Sequence, residues 1–142
     1  MSRKPGTAEL TPSAQRILAG GRGPRPPNDA PIWERYITAF HVDPGDVAAL
    51  QAVFAMRYEV FCVDRKFLPS ENYPDGLETD GYDSRSEHVL ALDRAGRPAG
   101  AIRLVRSDRI GDLPFEEHCP ELWAGSRISD RRTCAEISRM VI

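Results

Sequence analysis

A chain of 142 residues is long enough to bury one real core and too short for two ordinary domains. Nineteen basic against twenty-one acidic residues leave a net charge of −2, which excludes a strongly basic nucleic-acid-binding surface. No apolar run approaches the roughly 20 residues that cross a bilayer, so no membrane span is expected. The N-terminus lacks the apolar core of a signal peptide, and the three cysteines have no disulfide-like spacing; both point to the cytoplasm.

Residues 1–31 read as a disordered leader, since Gly20, Gly21 and Gly23 alternate with Pro24, Pro26 and Pro27 among few large apolar side chains. The folded part then spans residues 32–142. Trp33 to Val42 is rich in aromatic and β-branched residues and predicts a first strand. Asp43-Pro44 predicts a helix start, with Asp43 as N-cap and Pro44 in the first turn. The apolar positions Val47, Leu50, Phe54 and Phe61 keep helical spacing, and Arg57 falls in the same stripe. A guanidinium on a core face needs a carboxylate partner.

Cys62 to Asn72 reads as a polar connection. It leads into Tyr73 to His88, which sets five acids (Asp75, Glu78, Asp80, Asp83, Glu87) against one arginine. His88 to Asp93 and Gly100 to Arg106 flank a glycine-containing turn and predict a hairpin. Arg103 shares a face with Ala101 and Val105, a second guanidinium on a face that should be packed. Ser107 to Arg132 reads as a loop, and Thr133 to Ile142 as a last strand that carries Glu136 and Arg139. Three residues apart, these two would face opposite ways on a regular strand: either they serve different neighbours or, the reading favoured, a β-bulge between them turns both toward one site. The expectation is one charged pocket, in which Asp80, Asp83 and Glu136 neutralise Arg57, Arg103 and Arg139.

The acidic run also resembles a calcium loop. With Gly81 as the sixth position, Glu78, Asp80 and Glu87 fall at the third, fifth and twelfth, but Gly76 stands first and strands follow. His118 and Cys119 are neighbours without an acid to orient them, and His88, His118, Cys119 and Cys134 lack metal-ligand spacing, so no metal site is expected.

In order and spacing, Arg57-x-x-x-Phe61, Phe67, Asp80-x-x-Asp83, Arg103, Phe115 and Glu136-x-x-Arg139 resemble the signature of acyl-homoserine-lactone (autoinducer) synthases. That family carries a tryptophan where this chain has Phe67. A fuller set is more similar to acyltransferases associated with PEP-CTERM/exosortase systems, a group that resembles N-acyl amino acid synthases. It comprises Tyr58-Glu-Val-Phe-Cys62, Arg65, Phe67-Leu68, Tyr73-Pro74, Glu78-x-Asp80, Tyr82-Asp83, Ser86-x-His88, Gly100-x-x-Arg103-Leu104 and Glu136-x-Ser138-Arg139.

The resemblance covers Trp33 to Ile142 and implies an α+β, GNAT-like acyl-CoA N-acyltransferase fold, a mixed sheet flanked by helices. It implies transfer of a fatty acyl group from an acyl carrier protein or coenzyme A thioester to the amine of a small acceptor such as an amino acid. The thioester is a co-substrate, and no cofactor is permanently bound. Glu136 would accept the ammonium proton. Arg57, Asp80, Asp83, Arg103 and Arg139 would form an ionic lattice around the acceptor site. Phe61, Phe67 and Phe115 would line the acyl side, and backbone N–H groups near Ser138 would face the oxyanion.

The alternatives are an autoinducer synthase using S-adenosylmethionine and, from another class, a non-catalytic module binding calcium or acyl carrier protein. The leader's arginines and Arg131-Arg132 would attract that acidic protein. GNAT folds continue past the fourth strand with a splayed strand and a phosphate-receiving helix. The 142 residues are therefore expected to be an N-terminal part, truncated after that strand, poorly folded alone and inactive.

Overall fold

Ile37–Val42 forms β1, with Phe40 and Val42 turned inward, at the start of a computed structural model that describes residues 37–107, 113–124 and 134–142. The expected leader, residues 33–36 of the first predicted strand and Arg131-Arg132 lie outside the described residues. Helix α1 (Val47–Tyr58) follows after a tight turn. Its cap is Asp46 rather than Asp43: the Asp46 Oδ1 accepts from the Ala49 N–H at 3.0 Å. Asp43 instead accepts from the Gly45 N–H at 2.7 Å and closes the turn leading in. Asp46→Ala should cost about 1 kcal/mol, read as a lower urea midpoint, and an unchanged midpoint would show that Asp43 takes over the cap.

The buried face of α1 is Ala49, Val53 and Arg57, at i, i+4 spacing. Val47, expected in that stripe, is exposed at the helix start. The helix does not end where a polar connection is predicted. Glu59–Asp64 continues it as a π-turn, and the wider turn brings Cys62 inward.

Strands β2 (Ser86–Asp93) and β3 (Pro98–Arg106) form the expected hairpin. Asp93 closes its turn by accepting from the N–H groups of Ala95 and Arg97, and Gly96 supplies the positive φ of 75°. β4 (Ala135–Val141) completes an antiparallel sheet in the order β1-β2-β3-β4. Every pairing among the described residues is antiparallel, so the mixed character expected of the sheet is not seen among them. Two short helices, α2 (Pro114–His118) and α3 (Pro120–Ala124), stand where the sequence reads as loop. No helix among the described residues is long and apolar enough to cross a membrane.

α1 packs across one sheet face. Val42, Leu90, Leu92, Ala101 and Val141 from the strands meet Ala49 and Val53, with Leu50, Phe54 and Phe61 at the margin. Burial alternates along β2, so that His88, Leu90 and Leu92 share the inward side. β4 carries an irregularity, but it begins past Ser138 and does not bring Glu136 to the same site as Arg139. Ser138 pairs with Arg103 and Val141 with Ala101, three steps on β4 against two on β3. Arg139 sits within it at φ 52°, a left-handed conformation rare for a side chain of this size.

Candidate active site

Three guanidiniums converge beside the core, each from a different element. Arg57 comes from the last turn of α1, Arg103 from the middle of β3, and Arg139 from the bulge of β4. Arg57 and Arg103 are buried, whereas the Arg139 side chain is 29% exposed. A strand that simply alternated would put Ser138 and Arg139 on opposite faces. The bulge brings the Arg139 guanidinium to Asp80, the carboxylate that Arg103, the partner of Ser138, also contacts.

All three opposing carboxylates come from the acidic loop. Arg57 donates through Nη1 and Nη2 to the two oxygens of Asp83, at 2.7 and 3.1 Å, and through Nε to Glu78 Oε2 at 2.5 Å. Arg103 donates through Nη1 to Asp80 Oδ1 at 2.5 Å and Asp83 Oδ1 at 3.0 Å. Arg139 reaches Glu78 Oε1 through Nε and Asp80 Oδ2 through Nη2, both at 3.2 Å. Each carboxylate thus bridges two guanidiniums. The six residues close a ring of alternating sign: Glu78, Arg57, Asp83, Arg103, Asp80, Arg139. Balance of charge is what lets such groups leave water together.

The loop is shaped to present these acids. Asp83 Oδ2 accepts from the Asp80 N–H at 2.8 Å, and Asp80 Oδ1 from the Tyr82 N–H at 2.9 Å. The Glu78 N–H donates to the Phe54 carbonyl at 3.1 Å and anchors the loop on α1. Burial alone would raise the Asp83 carboxyl, but the Arg57 hydrogen bonds and charge, the Asp80 N–H and the Arg103 charge outweigh it and hold it below the usual range. Burial likewise opposes the Arg57 charge, and Asp83 and Glu78 more than restore it.

The ring contains five of the expected lattice residues: Arg57, Asp80, Asp83, Arg103 and Arg139. Ser138 joins it through its hydroxyl, which accepts from Arg103 Nε at 3.1 Å. Phe61 lies beneath Arg139, whose guanidinium carbon is 5.5 Å from the ring centroid. Glu136 is not the third carboxylate. Its Oε2 accepts from the Phe115 N–H at 2.7 Å, in the first turn of α2, so Glu136 and Phe115 form a separate pair. Phe67 is 72% exposed, its side chain largely in solvent, although its N–H donates to the Phe61 carbonyl at 2.8 Å.

Glu78, fully buried, fills the place expected for Glu136. The two-residue spacing of Glu78 and Asp80 was the available signal, because extended chain turns such residues the same way. Tyr82 was also missed. Its ring lies between Arg85 and Arg103, with guanidinium carbons 5.0 and 5.8 Å from the centroid. Its hydroxyl donates to Glu117, and burial together with that carboxylate pushes the phenol up to about 12. Cys62 lies nearby, its thiol raised by burial and by Glu78 against the pull of Arg139.

A cation would find these acids occupied. Glu78 and Asp80 serve guanidiniums, and Glu87 on β2 pairs with Arg106 at 2.9 Å. Among the described residues no group of three or more His, Cys, Asp or Glu is arranged to hold a metal.

Residues 56–142 match the family model of the acetyltransferase (GNAT) domain. The crystal structure of the AHL synthase LasI is similar in fold, with a TM-score of 0.52 and 23% identity over 75% of this chain and 52% of that one. The chain therefore spans about half the length of LasI. No curated protein sequence matches it.

Proposed function

The chain belongs to the acetyltransferase (GNAT) domain family, and from that premise we propose that it forms the acceptor side of an N-acyltransferase. The reaction moves a fatty acyl group from an acyl carrier protein or coenzyme A thioester to the amine of a small acceptor such as an amino acid. The observation that carries this reading is the exposed arc of the ring. Asp80 and Arg139, 23% and 29% exposed, stand side by side at 3.2 Å, while the other members are nearly or fully buried. A small molecule bearing an ammonium and a carboxylate is the complement of that pair. Phe61 under Arg139 offers apolar surface beside it for the acyl chain.

Acyl transfer to an amine requires a deprotonated nucleophile, orientation against the thioester carbon, and donors for the developing oxyanion. In this reading the ring orients the acceptor. Because its members hold one another, it does not reorganise as charge develops. Glu136 takes the ammonium proton, and backbone N–H groups beside Ser138, where the β4 register breaks, face the oxyanion. Association with a PEP-CTERM/exosortase system and a cytoplasmic location belong to the same proposal, on the sequence resemblance and the cysteine usage given above.

The test offers the full-length protein an acyl-carrier or coenzyme A thioester with either amino acids or S-adenosylmethionine, and identifies the product by mass. An N-acyl amino acid is the expected product. A homoserine lactone as sole product would reassign the acceptor to that of an autoinducer synthase, and no acylated product with either would overturn the proposal.

A further inference from the structure

One polar side chain abuts the ring without bonding to it. His88 lies on β2, opposite Arg103 of β3 on one side and Val42 of β1 on the other, and is 3% exposed. Its Nε2 is 3.7 Å from Asp83 Oδ1, beyond hydrogen-bond range, and neither ring nitrogen completes a well-formed hydrogen bond, although the Asp83 backbone lies near enough to favour the charged imidazole. Phe54 of α1 meets the imidazole edge-on, with centroids 5.6 Å apart. A buried imidazole in this state is costly, whereas an apolar side chain there would carry no such penalty.

We infer that His88 is a positioning residue for the acceptor wall: neutral, it leaves Asp83 to Arg57 and Arg103, and protonated, it draws Asp83 away from them. Asp83 Oδ1 already accepts from Arg57 at 2.7 Å and Arg103 at 3.0 Å. An imidazolium would be a third cation at that one oxygen. The charged groups facing His88 are Arg57 from α1, Arg103 from β3 and Asp83 from the loop, while β1 offers Val42. Its strand neighbour Glu87 is engaged instead by His41 and Arg106. Burial is the main force keeping the imidazole neutral; Asp83 opposes it, Arg57 and Arg103 reinforce it, and the net shift is downward. The sign follows: stability is full above the ordinary histidine range near 6.5 and is lost as pH falls from there toward the folded-state pKa. A displaced Asp83 then loosens the ring that includes Asp80 and Arg139.

The inference rests on the proposed acyl transfer for its kinetic readout alone. In the full-length protein the 15N-guanidinium signals of Arg57 and Arg103 report their contacts with Asp83 without any substrate. Lowering the pH stepwise from about 7.5 to the acid limit of folding should shift or broaden both signals in the wild type, below the ordinary histidine range. In His88→Phe, which keeps an aromatic edge for Phe54 but has no titrating nitrogen, they should stay in place. With an acyl thioester present, the wild-type KM for the amine should rise about tenfold more than that of His88→Phe over the same interval. Wild-type guanidinium signals that hold steady across the interval overturn the inference, and that measurement needs no variant to fold. Equal pH dependence of KM in the two forms overturns it as well. Absence of any acyl transfer would sink the proposed function and leave the guanidinium signals to decide the role of His88.

Discussion

Arg57→Met will destabilise the domain by about 3–5 kcal/mol, because it strips a buried ion-pair network of one partner rather than replacing the whole. The methionine fills much of the same volume, so a cavity is not the main cause. What is left is Glu78 with Arg139, Asp83 with Arg103 and Asp80 with both: two cations against three anions around a buried centre. The fully buried Glu78 carboxylate suffers most, having lost its 2.5 Å contact. Arg57→Lys should recover little, since a single ammonium cannot bond both Asp83 oxygens and Glu78 together.

Urea unfolding measures the loss, and a change below about 1 kcal/mol would mean that the ring contributes no more than a surface pair. The acid limb should move too. Asp83 is held below the usual carboxylate range, so its contribution is present above that range and is lost as pH falls through the depressed value. Without the Arg57 hydrogen bonds and charge that depression shrinks, and the Asp83 share of the acid-limb loss shrinks with it.

Glu136→Gln should lower kcat by about 10²–10⁴-fold, the usual contribution of a positioned acid or base, with stability altered by no more than about 0.5 kcal/mol. The amide oxygen can still accept from the Phe115 N–H, so the tie between β4 and α2 survives while the proposed proton acceptor is lost. Glu136→Ala removes both and serves as the comparison. If Glu136→Gln turns over like the wild type and only Glu136→Ala fails, the carboxylate is a tether and the ammonium proton leaves elsewhere. Steady-state kinetics on the full-length protein with the acyl thioester at saturation separates the two.

Much of the architecture was legible in the chain because its signals are local. Alternating apolar residues around Arg94–Arg97 specify a hairpin whatever else the chain does, and the observed strands extend the expected ones by a residue or two. The three-residue separation of Glu136 and Arg139 left two readings open, and the structure has something of both: Glu136 serves a different neighbour, Phe115, and the register breaks just past Ser138. The end of α1 was less legible. Nothing in the letters of residues 59–64 distinguishes a π-turn from a polar connection; in the fold Cys62 is buried there and Phe61 packs against the core. Asp43 and Asp46 are both acceptable caps on propensity. The backbone path of the turn, with Asp43 already engaged by Gly45, selects between them.

The sequence by itself placed Arg57 and Arg103 on packed faces of periodic apolar elements, where a guanidinium must either snorkel out or find a carboxylate, and put an acid-rich stretch nearby to answer them. Only the tertiary structure decided which acid meets which cation. That pairing depends on the course of a loop with no periodicity of its own and on a left-handed residue in β4. Hence Glu78, not Glu136, closes the ring, and His88 comes to lie against it unbonded. The physical reason is range: burial is written in the spacing of neighbours along the chain, whereas an ion pair such as Arg139 with Glu78, 61 residues apart, is written only in how the chain returns.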